Sequence, residues 1–195
     1  RNVPPLMAKD WAQDIDKLKQ NDLPAEVAVD RLQQGLIKNI KLDYIDKAMN
    51  ALHDNLVWSN EIVVTKTLGS GEGSKGLDDD QQSMLAETTS NLEIAARQGY
   101  KRNQVSVMLS RKGVDLEMAA ELSKTLTAWT NYGVDNKRVL LSIKRISRLR
   151  LSPDKVKGLR ESVDSKLVAE RLQKPTDIAR AIWAEIRHEA EIKEA

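Results

Sequence analysis

Apolar residues recur along most of this chain at intervals of three and four positions. Clear series run through residues 45–56, 119–129 and 179–190. This spacing places the apolar side chains on one face of an α-helix, whereas the strict alternation expected of a β-strand is almost absent. The β-branched stretch at residues 62–65 continues the apolar face of the first series, so we expect it to be helical as well. The pattern predicts an all-α protein.

Short turn sequences separate the predicted helices. Gly-Val-Asp occurs at residues 113–115 and again at 133–135, and Gly-Leu-Asp occurs at 76–78. In each, the glycine can adopt the left-handed conformation that ends a helix, and the apolar residue can pack back onto the last turn. The aspartate can then accept hydrogen bonds from the first amides of the next helix. We therefore expect tight corners between short helices.

The corners divide the chain into an irregular array of about eight or nine short antiparallel helices. Their distances along the chain are unequal, which excludes a repeat of fixed period. The last predicted helix is broken near Pro175, and Trp129 and Trp183 lie in apolar series and are expected in the core. The predicted helices lie near residues 5–20, 24–38, 42–67, 78–98, 101–112, 115–132, 135–149, 152–166 and 168–193.

A stretch rich in glycine and serine at residues 69–76 interrupts the helices. Gly71, Gly73 and Gly76 have the Gly-x-Gly-x-x-Gly spacing of a dinucleotide-binding turn, but no strand precedes them, as that motif requires. The composition is typical of a flexible linker. We expect an N-terminal helical subdomain at 1–68, a loop at 69–76 and a C-terminal subdomain at 77–195, or one continuous domain.

Composition narrows the class of protein. The chain has 195 residues, of which 41% are hydrophobic and 31% charged, as in a soluble globular protein. It has no cysteine, which excludes disulfides, cysteine-bound zinc and thiol nucleophiles. No apolar run is long enough to span a bilayer. Because the chain begins with Arg1, a removed signal peptide is one explanation and trimming is another; we expect an exported, periplasmic bacterial protein, or a cytoplasmic one if it binds nucleic acid.

Charge is distributed unevenly along the chain. Residues 1–96 carry a net −6, residues 97–160 a net +10 and residues 161–195 a net −2. Between residues 137 and 160 there are nine Lys or Arg but only one acidic residue. On a helix, several of these basic residues would share one face. Such a stripe suits phosphate backbones, anionic lipid headgroups or an acidic protein. Otherwise it is a solvated face, or a face neutralised by the acidic N-terminal region. The candidate anion-binding residues are Lys137, Arg138, Lys144, Arg145, Arg148, Arg150, Lys157 and Arg160.

The segment at residues 94–112 resembles the DNA-binding helix-turn-helix pattern. Ala95 lies four residues before Gly99, Val105 lies six after it, and Met108 suits the next core position. The resemblance implies a recognition helix at roughly 103–112, with Asn103, Gln104, Ser106 and Arg111 as candidates for reaching bases or phosphates. Gln98 departs from the pattern, which usually has an apolar residue at that position.

We find no residues that fix a reaction, a metal site or a cofactor. Glu185 and His188 have the Glu-x-x-His spacing of di-iron sites, but such a site needs the motif twice, so we expect both to face solvent. The acids at residues 78–80 suit the start of a helix. A third hypothesis is an enzyme whose active site forms only in the folded protein.

Two non-enzymatic functions are favoured over catalysis. We expect a non-catalytic helical scaffold that binds another protein, without a cofactor. The alternative is a protein that binds nucleic acid or another anionic surface through residues 94–112 and 137–160.

Overall fold

The computed structural model describes residues 2–69 and 76–194. Within these residues, nine α-helices follow one another and no strand occurs, so the prediction of an all-α array is confirmed. The helices are α1 (Pro5–Gln20), α2 (Ala25–Ile37), α3 (Leu42–Val63), α4 (Asp79–Arg97), α5 (Arg102–Leu109), α6 (Leu116–Asn131), α7 (Asn136–Leu149), α8 (Pro153–Ala169) and α9 (Pro175–Glu194).

The β-branched stretch at the end of α3 is helical, as expected. A π-helical turn (Val64–Leu68) continues α3, and the hydroxyl of Thr67 donates to the carbonyl oxygen of Val63 at 2.8 Å. This hydrogen bond adds a side-chain contact to the wider turn.

The predicted Gly-apolar-Asp corners are present. Gly113 and Gly133 have φ angles of +87° and +78°, the left-handed conformation that ends a helix. Asp115 accepts a hydrogen bond from the amide of Met118 at 2.9 Å and thereby caps α6. Asp135 caps α7 in the same way, through the amide of Lys137 at 3.0 Å.

The boundary between the last two helices differs from the prediction. We expected a helix from residue 168, but α8 continues to Ala169 and α9 begins at Pro175. Arg171 has a φ of +51°, which ends the helical path after α8. Pro175 lacks an amide hydrogen and is best accommodated in the first turn of a helix. The proline therefore marks the start of α9 rather than a break inside it.

Buried apolar residues form two clusters that share α3. The first contains residues of α1, α2 and α3 up to Leu56, and the second extends from Val63 of α3 through α4 to α9. The division between the clusters thus falls within one continuous helix. Gly71 and Gly73 lie outside the described residues, so the predicted loop at 69–76 and the two subdomains stay a prediction.

The two tryptophans expected in the core have different environments. Trp129 is fully buried, but Trp183 is 36% exposed, so the prediction for Trp183 is wrong. On α9, Ile182 and Ile186 occupy the buried face. Trp183 lies one position after Ile182, about 100° further around the helix, at the edge of that face.

Candidate functional site

Helix α7 separates its apolar and basic residues onto opposite faces. Val139, Ile143 and Ile146 are buried in the larger cluster, whereas the basic residues of the other face are exposed. None of these basic side chains lies within 4.0 Å of a carboxylate in the described part of the chain. They are Lys137, Arg138, Lys144, Arg145 and Arg148.

The basic candidates that follow α7 lie in more varied surroundings. Arg150 has left-handed backbone geometry at the end of α7, and its carbonyl oxygen accepts a hydrogen bond from Lys193 at 3.1 Å. Lys157 is exposed on α8. Arg160 is only 14% exposed and forms an ion pair with Glu121 at 2.8 Å. The charge of Arg160 is therefore already neutralised within the fold.

Helix α5 follows the corner at Gly99, where φ is +92°. Ala95, Val105 and Met108, which the helix-turn-helix resemblance requires to be buried, lie in the larger apolar cluster. Asn103 and Gln104 are exposed. The resemblance therefore extends to the burial of its core positions, while DNA recognition stays a prediction.

The exposed face of α5 forms a groove with α7. The groove has a volume of about 250 Å³. Its apolar bed comes from both helices, and the side chain of Arg111 crosses it, because its Nη1 donates to the carbonyl oxygen of Lys144 at 3.3 Å. The lining residues are Asn103, Gln104, Val107, Met108, Arg111, Leu140, Ile143, Lys144 and Ser147.

The groove thus brings together four of the residues predicted from sequence, namely Asn103, Gln104, Arg111 and Lys144. Its two charged lining residues, Arg111 and Lys144, are both cationic. Val107 is 62% exposed at the rim of the groove. Leu141, which follows the lining residue Leu140 on α7, is 47% exposed. The surface therefore combines exposed apolar side chains with positive charge that no carboxylate of the described chain neutralises.

Arg138 lines a second cleft, which was not predicted from the sequence. This cleft has a volume of about 430 Å³ and lies between α7 and α9, where Arg180, Trp183 and Arg187 line it together with Arg138. Residues 180, 183 and 187 follow the i, i+3, i+7 spacing of one helical face. The spacing predicts that these three residues share one face of α9. This prediction was not made, because Trp183 was expected in the core.

Polar side chains inside the C-terminal helices are mostly paired with one another. The hydroxyl of Tyr132 donates to Asp164 at 2.8 Å, and burial together with this carboxylate raises the pKa of Tyr132 to about 12. The hydroxyl of Tyr100 lies 2.6 Å from that of Thr130, and burial raises the pKa of Tyr100 to about 12. Both phenols therefore stay protonated at neutral pH.

Glu185 and His188 do not share a solvent-facing environment. His188 is exposed, as expected, but Glu185 is 14% exposed and pairs with Lys166, so the prediction for Glu185 is wrong. Burial alone would raise the pKa of Glu185, but hydrogen bonds from Lys166 and Ser162 outweigh it and lower this pKa. Among the described residues, no group of three or more His, Asp or Glu is placed to hold a metal ion.

Comparisons with known proteins give no further guide to the function. No protein-family model matches the chain, and neither curated proteins nor solved structures yielded a significant match. Among the described helices, none is both long and apolar enough to cross a membrane.

Proposed function

We propose that this protein is a non-catalytic helical binding protein whose groove between α5 and α7 holds an acidic, amphipathic segment of a partner protein. The observation that carries the proposal is the combination of an apolar bed with unpaired cations along one edge. Exposed apolar surface rimmed by polar residues is characteristic of protein interaction sites. A helix with apolar anchors and acidic flanks is complementary to this surface in both respects.

The size of the groove favours a protein partner over a small ligand. Pockets for small molecules usually measure roughly 300–1,000 Å³ and enclose most of the ligand. A groove of about 250 Å³ is better suited to an anchoring side chain from a larger partner. Val107 and Leu140, from opposite walls, would contact such an anchor.

Electrostatics provide the second support. Lys144, Arg145 and Arg148 continue along α7 beyond the groove, and none is neutralised by a carboxylate of the described chain. Acidic residues that flank the anchoring side chain of the partner would lie against this row of cations. Charges of this kind accelerate association and disfavour partners of the wrong sign, so they contribute to specificity.

Nucleic acid is the second candidate, and the same row of cations on α7 supports it. Two features make it the weaker one. Val107 occupies the centre of the exposed α5 face, where a recognition helix would present polar groups to base edges. In addition, α7 forms the opposite wall of the groove along that face, so the exposed side chains of α5 do not stand alone.

Fluorescence anisotropy with two labelled probes tests the proposal. One probe is a helical peptide with leucines on one face and glutamates on the other, and the second is a random-sequence DNA duplex. Each is titrated with the full chain at low and at physiological salt. We expect saturable peptide binding that Val107→Asp weakens at least tenfold, because the aspartate places a charge at the apolar rim of the groove and repels the acidic flanks of the peptide.

Two triple variants separate the groove from net charge. Lys144→Glu, Arg145→Glu, Arg148→Glu should abolish peptide binding, whereas Lys9→Glu, Lys41→Glu, Lys47→Glu changes the net charge equally at exposed sites elsewhere and should not. Peptide binding that is absent, or insensitive to Val107→Asp, would refute the groove. Salt-sensitive DNA binding that only the first triple variant removes would put nucleic acid in its place.

A further inference from the structure

A buried carboxylate lies between two arginines where α2 and α4 face each other across a cleft. Glu93 of α4 is completely buried, and its Oε1 accepts a hydrogen bond from Nε of Arg97 at 2.7 Å. Nη2 of Arg31, on α2, is 4.0 Å from Oε2 of Glu93, which is too long for a hydrogen bond. The buried Oε2 has no hydrogen-bond partner among the described residues.

The charges at this point do not balance. Two guanidinium groups share one carboxylate, and no second carboxylate of the described chain lies within 4.0 Å of either. Burial lowers the pKa of Arg31, the charge of Arg97 lowers it further, and Glu93 only partly offsets the two. A partly buried cation beside another cation is costly, so an additional anion here would be stabilising.

Both arginines line one cleft. It has a volume of about 600 Å³ and lies between α2, α3 and α4, with Arg31 and Arg97 on its wall. Much of the remaining lining is apolar and includes Ile45, Met49 and Ile94; its other charged residues are Asp30 and Lys38, so the cations of the cleft still outnumber its carboxylate. The volume is in the range of small-molecule sites, which are mostly apolar with a few polar groups that fix orientation.

The wall formed by α2 and α3 is closely packed. A Cβ atom added at Gly35 of α2 would lie only 3.0 Å from the side chain of Ile45 on α3. A larger residue here would press on Ile45, so the glycine permits the close approach of α2 and α3 along this side of the cleft. On the other side, the bond from Arg97 to Glu93 fixes that guanidinium relative to α4. Of the two recognition groups, Arg97 is thus preorganised.

We infer that this cleft is a binding site for a small aliphatic carboxylic acid. The carboxylate of the ligand would bind Arg31 and Arg97, whose planar guanidinium groups suit bidentate recognition of a carboxylate. The aliphatic body would lie along Ile45, Met49 and Ile94. Glu93 is a positioning residue that orients Arg97 from behind through its hydrogen bond to Nε. This site is separate from the groove between α5 and α7 and does not depend on its function.

Isothermal titration calorimetry of the full chain tests the inference with three probes. Octanoate has both the charge and the aliphatic body, octanol has only the body, and acetate has the charge with only a methyl group. We expect octanoate to bind with a stoichiometry of one and at least tenfold more tightly than octanol or acetate. Equal affinity for octanoate and octanol, or no saturable octanoate binding, would overturn the site.

Variants locate the binding. Arg31→Met should weaken octanoate binding tenfold or more while leaving octanol unchanged, since Arg97 still satisfies Glu93 and the fold is maintained. Arg180→Met, an exposed arginine on α9, serves as the control and should bind octanoate like the wild type. If circular dichroism shows that Arg31→Met is unfolded, Arg31→Lys takes its place, because lysine retains the charge but not the bidentate geometry. Wild-type affinity in a folded Arg31 variant would refute the inference.

Discussion

Two regions of the molecule carry similar basic residues: the contact between α6 and α8, and the outer face of α7. They differ in whether carboxylates pair with these residues. In the first region, Arg160 of α8 pairs with Glu121 of α6 at 2.8 Å. Lys124 of α6 reaches Glu121 at 3.3 Å and also Glu87 of the neighbouring α4 at 2.9 Å. On the outer face of α7, Lys144, Arg145 and Arg148 have no carboxylate partner within the described chain. The two regions belong to the same net-basic part of the sequence.

The difference follows from burial. A charge at a helix–helix contact loses hydration and must find a partner inside the protein, whereas an exposed charge keeps its water. Unpaired cations along one helix repel one another and do not stabilise the fold. Basic residues of the α6–α8 contact therefore serve stability, and those of α7 remain free to interact with another molecule.

Arg160 provides the strongest test of this difference. Arg160→Met should lower the free energy of unfolding by about 2 kcal/mol, because Glu121 loses a charged hydrogen-bond partner in a mostly buried position. Arg148→Met is the matched change on α7 and should alter it by less than about 0.5 kcal/mol. Urea denaturation followed by circular dichroism measures both. Equal losses in the two variants would show that burial does not separate the two regions.

Tyr132 tests the same contact through pH. Tyr132→Phe removes the hydrogen bond to Asp164 and should cost about 1 kcal/mol at neutral pH. Since the pKa of Tyr132 is raised from 10.0 to about 12 in the folded protein, the unfolded chain loses this proton first. The stabilisation is thus complete below pH 10 and is lost as pH rises towards 12.

Urea midpoints of the wild type and of Tyr132→Phe, measured at intervals from neutral pH to pH 12, follow this loss. The difference between the two proteins should be constant up to about pH 10 and narrow above it. Lysines that titrate in this range affect both proteins alike and cancel in the comparison. A difference that stays constant to pH 12 would contradict the proposed role of the phenol.

The helices and most of their corners could be predicted because their causes are local. The apolar spacing, the left-handed glycines and the capping aspartates each act within a few residues, as at Gly133 and Asp135. The boundary between α8 and α9 was predicted incorrectly, since Leu167, Val168 and Leu172 can continue either helix. Trp183 was misplaced for a related reason, because its position at the edge of an apolar face is set by packing.

The candidate sites were predictable only where they follow a single helix. The cations on α7 could be read from the sequence because helical spacing alone brings them together. The groove depends on contacts across the fold, such as that between Arg111 and Lys144, which are 33 residues apart. The pairing of Arg160 with Glu121, 39 residues away, likewise had no local signal. The cleft at Arg31 and Arg97 was missed because it forms only when α2 and α4 both pack on α3.

Substitution of Lys144 has the smallest expected effect on the free energy of unfolding, and this effect is stabilising. Lys144→Glu should raise the free energy of unfolding by about 0.3–0.5 kcal/mol, because Glu at position 144 would lie one turn before Arg148 in the favourable orientation for a helical ion pair. The same change should weaken binding of the acidic peptide. A residue whose replacement stabilises the fold and reduces binding is one retained for interaction rather than for stability.

Arg148→Glu is the control for this last prediction. It also creates a pair with Lys144, but with the acid in the last turn of α7, where the helix dipole disfavours negative charge. Its free energy of unfolding should therefore be unchanged or slightly lower, while peptide binding is still weakened. Urea denaturation of the two variants at low salt resolves the difference, because screening diminishes it at high salt. If Lys144→Glu destabilises the protein, the lysine contributes to the fold, and the contrast between the α6–α8 contact and the outer face of α7 no longer holds at that position.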